Sequence, residues 1–131
     1  MIRWGLCCQF LDTPIKFRSA THRYVSGLGA DEGRAYLARI ARDNAEALAQ
    51  AVRRCRQLGI GAFRINSQIL PLGTHPVSGY TLAALDDAPH GGAEGAREVA
   101  LESIATAFAR VRPLAESLDV RLSFHPDQFV V

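Results

Sequence analysis

Residues 34–66, RAYLARIARDNAEALAQAVRRCRQLGIGAFRIN, join the strongest helical pattern in the chain to a predicted strand. Apolar side chains recur every three or four positions over residues 34–58, which is typical of an amphipathic helix. The stripe consists of Leu37, Ala41, Asn44, Leu48, Val52, Cys55 and Leu58. Gly59 predicts the end of the helix, and residues 60–66 predict a strand. Asn44 lies inside the apolar stripe, so we expect it to be buried; because a buried Asn must form hydrogen bonds, we expect it to tie the helix to a loop or a strand end.

The rest of the chain extends this alternation of strands and helices. In chain order we predict a strand over residues 2–9, a long connection over 10–33, the helix over 34–58, the strand over 60–66, a second long connection over 67–92, a helix over 93–118 and a strand over 120–125. Pro113 lacks a backbone N–H, so we expect a kink or a break in the second helix. The segments Leu58-Gly59-Ile60 and Leu118-Asp119-Val120 each end a helix and begin a strand, which indicates a rough internal repeat.

Alternation of this kind predicts parallel strands joined by crossover helices. The long connections follow the ends of strands and the returns from helix to strand are short, as in a barrel with its chemistry at the C-terminal face. A closed barrel needs eight strands, roughly 250 residues. The 131 residues are therefore predicted to be one α/β unit, the N-terminal portion of a (β/α)8 TIM-type barrel, incomplete as given, with about three strands and two main helices.

Composition excludes several classes of protein. With 48% hydrophobic and 21% charged residues, the chain is typical of a globular protein and not of a disordered one. Its net charge of +2 does not by itself indicate a nucleic-acid partner. We see neither a membrane-spanning apolar run nor a secretory signal, so we expect a cytoplasmic protein, nucleoid-associated if bacterial. Three cysteines provide no disulfide framework, and we expect reduced thiols.

Two histidines precede prolines, in His75-Pro76 and His125-Pro126. His125 ends a predicted strand and His75 lies in the connection after the preceding strand, so both can reach the C-terminal face. Each is either a ligand of a divalent metal or an ordinary hydrogen-bonded loop residue. We interpret His90 as a solvated loop residue, and His22 as either a solvated loop residue or a phosphate contact.

Two further segments could contact nucleic acid. Gln128 and Phe129 suit the probing of a base, the amide at its edge and the ring on its face. The alternative is that Phe129 packs under a following helix. Lys16 and Arg18 lie in a segment that mixes basic and aromatic residues, which either touches a phosphate backbone or is a solvated loop.

Taken together, these motifs resemble the UV damage endonuclease family. The resemblance is carried by Ile2-Arg3-Trp4-Gly5-Leu6-Cys7-Cys8, the helix around Asn44, Phe63-Arg64-Ile65-Asn66-Ser67, Leu70-Pro71-Leu72-Gly73-Thr74-His75-Pro76 and, most specifically, Arg121-Leu122-Ser123-Phe124-His125-Pro126-Asp127-Gln128-Phe129-Val130. The segments occur in the family's order, and they would cover about the N-terminal half of a family member.

The resemblance implies a (β/α) barrel that nicks UV-damaged double-stranded DNA just 5′ of photoproducts, in an alternative excision repair. It also implies a cluster of divalent metal ions, usually Mn²⁺, with His75 and His125 as ligands, and a lesion-probing pair at Gln128 and Phe129. The catalytic residues and remaining ligands are expected beyond Val131. Leu6 stands where family members often have a Tyr that is associated with contact to DNA or the lesion. The resemblance therefore does not imply that role for Leu6.

Two alternatives remain beside the metal-dependent endonuclease. A metal-dependent sugar isomerase or epimerase can share the barrel and its metal-binding histidines, and a truncated product could be inactive. We expect residues 1–131 alone to have no nicking activity, because the implied ligand set is incomplete within them.

Overall fold

The computed structural model describes residues 4–7, 14–66, 69–73, 75, 79–81, 84–85 and 103–124. In chain order these form β1 (Gly5–Cys7), α1 (His22–Gly27), α2 (Ala30–Gln57), β2 (Ala62–Ile65), α3 (Ile104–Ala109), α4 (Val111–Ser117) and β3 (Arg121–Phe124). The strands form a parallel sheet in the order β1-β2-β3. The predicted alternation of strands and helices, with parallel pairing, is therefore confirmed.

The helices cover one face of this sheet. Phe63 and Ile65 of β2 are 0% and 3% exposed, whereas Arg64 between them is exposed. The alternation places Arg64 on the opposite face, because successive side chains of a strand point to opposite sides. The buried cluster on the helical side also contains Ala47, Leu48, Ala51, Val52 and Cys55 of α2, and Val111 and Ala115 of α4. Complete burial of a side chain such as Phe63 stabilises the fold by about 1.5–3 kcal/mol.

The two returns from helix to strand have the same backbone geometry. Gly59 has φ 71°, and Ile60 donates its N–H to the carbonyl five residues earlier at 2.8 Å. Asp119 has φ 54°, and Val120 makes the equivalent bond at 2.9 Å. Both ends match the motif in which one left-handed residue satisfies the last carbonyls of a helix. The internal repeat predicted from the sequence is thus present in the backbone.

The first long connection and the first helix differ from the prediction. Residues 10–33 were expected to lack regular structure, but α1 lies within them and α2 begins at Ala30 instead of residue 34. Gly33, which weakens the helical pattern in the sequence, is where the two helices approach. A Cβ on Gly33 would lie 3.1 Å from both a methyl group and the carbonyl oxygen of Val25. Glycine is therefore used here for close packing and not to end the helix.

The second predicted helix, over residues 93–118, is broken where it is described. The α3 helix ends at Ala109, Arg110 interrupts the helix, and α4 starts at Val111. Pro113 consequently lies in the first turn of α4, where a backbone N–H has no hydrogen-bond partner within the helix and its absence costs no bond. The predicted break is confirmed, and residues 93–102 lie outside the described residues.

Candidate functional site

The candidate site lies at the edge of the sheet where the parallel strands end, called here the C-terminal edge. The connection after β1 carries Lys16, Arg18 and His22, and the connection after β2 carries His75. Both connections leave the sheet at this edge, because parallel strands end on the same side.

His75 is held by backbone hydrogen bonds of its own loop. Its N–H donates to the Leu72 carbonyl at 3.0 Å, and its carbonyl accepts from the Gly79 N–H at 2.9 Å. Leu72 adopts φ 62°, which turns the chain sharply before His75. The Tyr80 hydroxyl donates to the Pro71 carbonyl at 2.7 Å. Burial raises the pKa of Tyr80 to about 12, so this hydroxyl keeps its proton at a higher pH than an exposed tyrosine does.

The structure brings His22 and His75 together. Their rings are stacked, with centroids 4.5 Å apart and planes inclined by 14°. Both side chains are partly buried. The sequence interpretation of His22, as a solvated loop residue or a phosphate contact, missed this contact. No local pattern indicates it, since it depends on how two separate connections pack.

We expect Gly79→Ala to distort the His75 loop. A Cβ at position 79 would lie 2.5 Å from the His75 carbonyl oxygen and 3.2 Å from the Gly73 carbonyl oxygen. Backbone oxygens cannot swing aside as a flexible side chain can, so the loop must shift. We expect the free energy of unfolding to fall by about 1–3 kcal/mol, as in overpacked sites, measured by urea unfolding of the purified full-length protein.

Gly27→Ala is the matched control for this substitution. A Cβ there has no neighbour within 4 Å, and the position ends α1 without a positive φ. We expect it to be neutral or to stabilise the fold by about 0.5–1 kcal/mol. Equal unfolding curves for the two variants would show that the His75 loop does not need a glycine at position 79.

The connection that carries Lys16 and Arg18 is fixed on α2. Asn44 is 0% exposed; its Oδ1 accepts from the Arg18 N–H at 2.7 Å, and its Nδ2 donates to the Arg18 carbonyl at 3.0 Å. The same Nδ2 donates to the Ile69 carbonyl at 2.8 Å. The prediction that Asn44 ties the helix to a loop or a strand end is confirmed, and it reaches both connections of the C-terminal edge.

The Arg18 side chain has partners within the chain. Its guanidinium is paired with the Asp43 carboxylate, and it lies over the Tyr36 ring at 5.9 Å from the centroid. The ion pair is half exposed, a setting in which such pairs contribute little to stability. A guanidinium has five donor N–H groups, so this one retains donors for a second anion. Lys16 is exposed on the same connection.

Three of the predicted site residues, His125, Gln128 and Phe129, lie outside the described residues, as does His90. Across the part of the chain that is described, no three side chains of His, Cys, Asp or Glu converge as a metal site would require. Cys55 is a free thiol in the core, and burial raises its pKa to about 11. It therefore remains protonated near neutral pH and is unsuited to nucleophilic chemistry.

The fold defines a class of protein, an α/β protein with a parallel sheet, and the candidate site residues lie in the connections that follow its strands. The sequence matches the family described as UV-endonuclease UvdE over residues 2–131, and the chain belongs to that family. It is 26% identical over 127 residues to a UV DNA damage endonuclease of Nostoc sp. (strain PCC 7120 / SAG 25.82 / UTEX 2576), covering 97% of this chain and 34% of that protein. The chain thus spans about a third of that relative's length.

Membership of this family agrees with the resemblance found in the sequence.

In the described helices we find none that is long and apolar enough to cross a membrane.

Proposed function

We propose that this chain is the N-terminal portion of a (β/α)8 barrel endonuclease that nicks double-stranded DNA 5′ of ultraviolet photoproducts, as a step of excision repair. The observation that carries the proposal is the position of His75 at the C-terminal edge of a parallel sheet, in a chain that belongs to the UV-endonuclease family. The exposed Arg64 side of β2 suits the inward face of a barrel, since the helices already cover the other face.

His75 fits a divalent metal ion by its donor chemistry and by its support. An imidazole nitrogen suits transition metals, and two backbone bonds fix the residue that carries it. His125 would be a second ligand, and the proposal requires further ligands from residues outside the described part. Bound metal ions, Mn²⁺ in this proposal, would supply activation of water and stabilisation of charge on the scissile phosphate.

The other predicted residues would bind and orient the DNA. Lys16 and Arg18 would contact phosphates, which positions a duplex without reading its sequence. Gln128 and Phe129 would enter the duplex at the lesion, the amide at a base edge and the ring against a base face.

The test is a nicking assay on the full-length protein with Mn²⁺. The substrates are two otherwise identical duplexes, one with a single cyclobutane pyrimidine dimer. We expect a single cut on the 5′ side of the dimer in the damaged strand and no cut in the intact duplex. Absence of damage-dependent cutting, together with isomerisation of a small sugar, would establish the isomerase alternative.

Variants of the lesion-probing pair sharpen this test. Phe129→Ala removes a stacking surface worth about 1–3 kcal/mol per base. We therefore expect affinity for the damaged duplex to fall by about tenfold to a hundredfold with Mn²⁺ affinity unchanged. Gln128→Ala should act in the same direction. Full preference for damaged DNA in both variants would remove the pair from the proposal.

A further inference from the structure

The stacked pair of His22 and His75 joins two connections that are distant in sequence. One ring comes from the start of α1 and the other from the loop after β2. Of these two histidines, only His75 has a role in the proposed function, so the contact raises the question of what His22 contributes.

The geometry argues against both rings binding one ion. A metal binds an imidazole nitrogen in the plane of the ring, about 2.0–2.1 Å from that nitrogen for zinc. The two planes are inclined by only 14° and the centroids are 4.5 Å apart. In a stack of this kind the two ring planes run side by side, so an ion held in the plane of one ring lies outside the plane of the other. His22 therefore contacts the face of the His75 ring.

His22 stands on a fixed support. Thr21 caps α1 by accepting the Tyr24 N–H at 3.3 Å, and the Ser26 hydroxyl donates to the His22 carbonyl at 2.6 Å. Val25 is 8% exposed and packs into the apolar cluster that α1 shares with α2. Because α1 is anchored in this way, the His22 ring can limit the rotation of its neighbour.

We propose that His22 is a positioning residue for His75. Its ring fixes the plane of the His75 imidazole, so that the ligating nitrogen points along the C-terminal edge before a metal arrives. The inference rests on the proposed role of His75 as a metal ligand. Partners that orient a ligand contribute about 10–100-fold to metal affinity. A stacking partner acts on the face of the ring, and we expect its contribution at the lower end of that range.

The test measures Mn²⁺ affinity of the full-length protein by electron paramagnetic resonance, without DNA. We expect His22→Ala to weaken binding by about tenfold. His22→Phe retains a flat ring but no donor nitrogen, and it should restore affinity to within about twofold of the original. Arg23→Ala, an exposed neighbour on α1, is the control and should bind normally.

A metal-free measurement tests the stack itself. The ring protons of His75 should show a ring-current shift in the NMR spectrum that is lost in His22→Ala and kept in His22→Phe. Retention of the original His75 shifts in His22→Ala would overturn the proposal. Weak Mn²⁺ binding by His22→Phe with the shift intact would also overturn it, because it would show that His22 acts through a nitrogen of its ring and not through stacking.

His75→Ala separates this inference from the proposed function. If it weakens Mn²⁺ binding while His22→Ala does not, the positioning role alone is wrong. If His75→Ala binds Mn²⁺ normally, the ligand role of His75 is wrong, and the positioning role is wrong with it.

Discussion

Replacement of His75 by alanine is expected to lower damage-dependent nicking by at least about a hundredfold. The proposed role of this imidazole is to hold a metal ion that activates water and stabilises the scissile phosphate, a contribution of several kcal/mol. Each 1.36 kcal/mol corresponds to a factor of about ten in rate. The measurement is single-turnover cutting of the dimer-containing duplex by the full-length protein. Binding of that duplex should change by less than about threefold, because the residues proposed to contact DNA are retained.

His90→Ala is the matched control for this experiment. It removes the same side chain from a position interpreted as a solvated loop, and its cutting rate should equal that of the original protein. Raising the Mn²⁺ concentration should partly restore His75→Ala if the loss is one of metal affinity. Normal cutting by His75→Ala at limiting Mn²⁺ would show that the residue is an ordinary loop histidine.

The features that the sequence predicted are those set by local patterns. The stripe of α2, the break before Pro113 and the helix ends at Gly59 and Asp119 each depend on residues within one or two helical turns. Asn44 was interpretable for a related reason, because a polar residue in an apolar stripe must find hydrogen-bond partners wherever it is buried.

The features that the sequence did not predict depend on contacts between separate elements. The α1 helix has six residues, of which Val25 alone is buried, so it has no apolar periodicity to detect. The stacking of His22 on His75 exists because two separate connections meet. The close packing of Val25 on Gly33 joins α1 to the start of α2. In a single sequence, each of these residues is indistinguishable from an ordinary loop or helix residue.

Asn44 lies on the predicted helix and holds the two connections whose packing was not predicted. We expect Asn44→Ala to destabilise the fold by about 2–4 kcal/mol. The substitution leaves the Arg18 N–H, the Arg18 carbonyl and the Ile69 carbonyl without their partner. A buried polar group left unpaired costs about 1–3 kcal/mol. Water can reach the partly buried groups of Arg18 and offset some of this loss, whereas the bond to Ile69 is buried. The measurement is the urea-unfolding free energy of the full-length protein.

Two comparisons decide whether the hydrogen bonds are responsible. Gln50→Ala removes an exposed amide from the same helix, with a 3.3 Å bond to Glu46, and should change stability by less than about 0.5 kcal/mol. Asn44→Asp keeps an acceptor for the Arg18 N–H but loses both donated bonds and buries a charge, so it should be at least as destabilising as Asn44→Ala. If Asn44→Ala instead unfolds like Gln50→Ala, the two connections are held at the C-terminal edge by apolar packing alone. In that case the positions of Arg18 and His75 do not depend on α2 through this side chain.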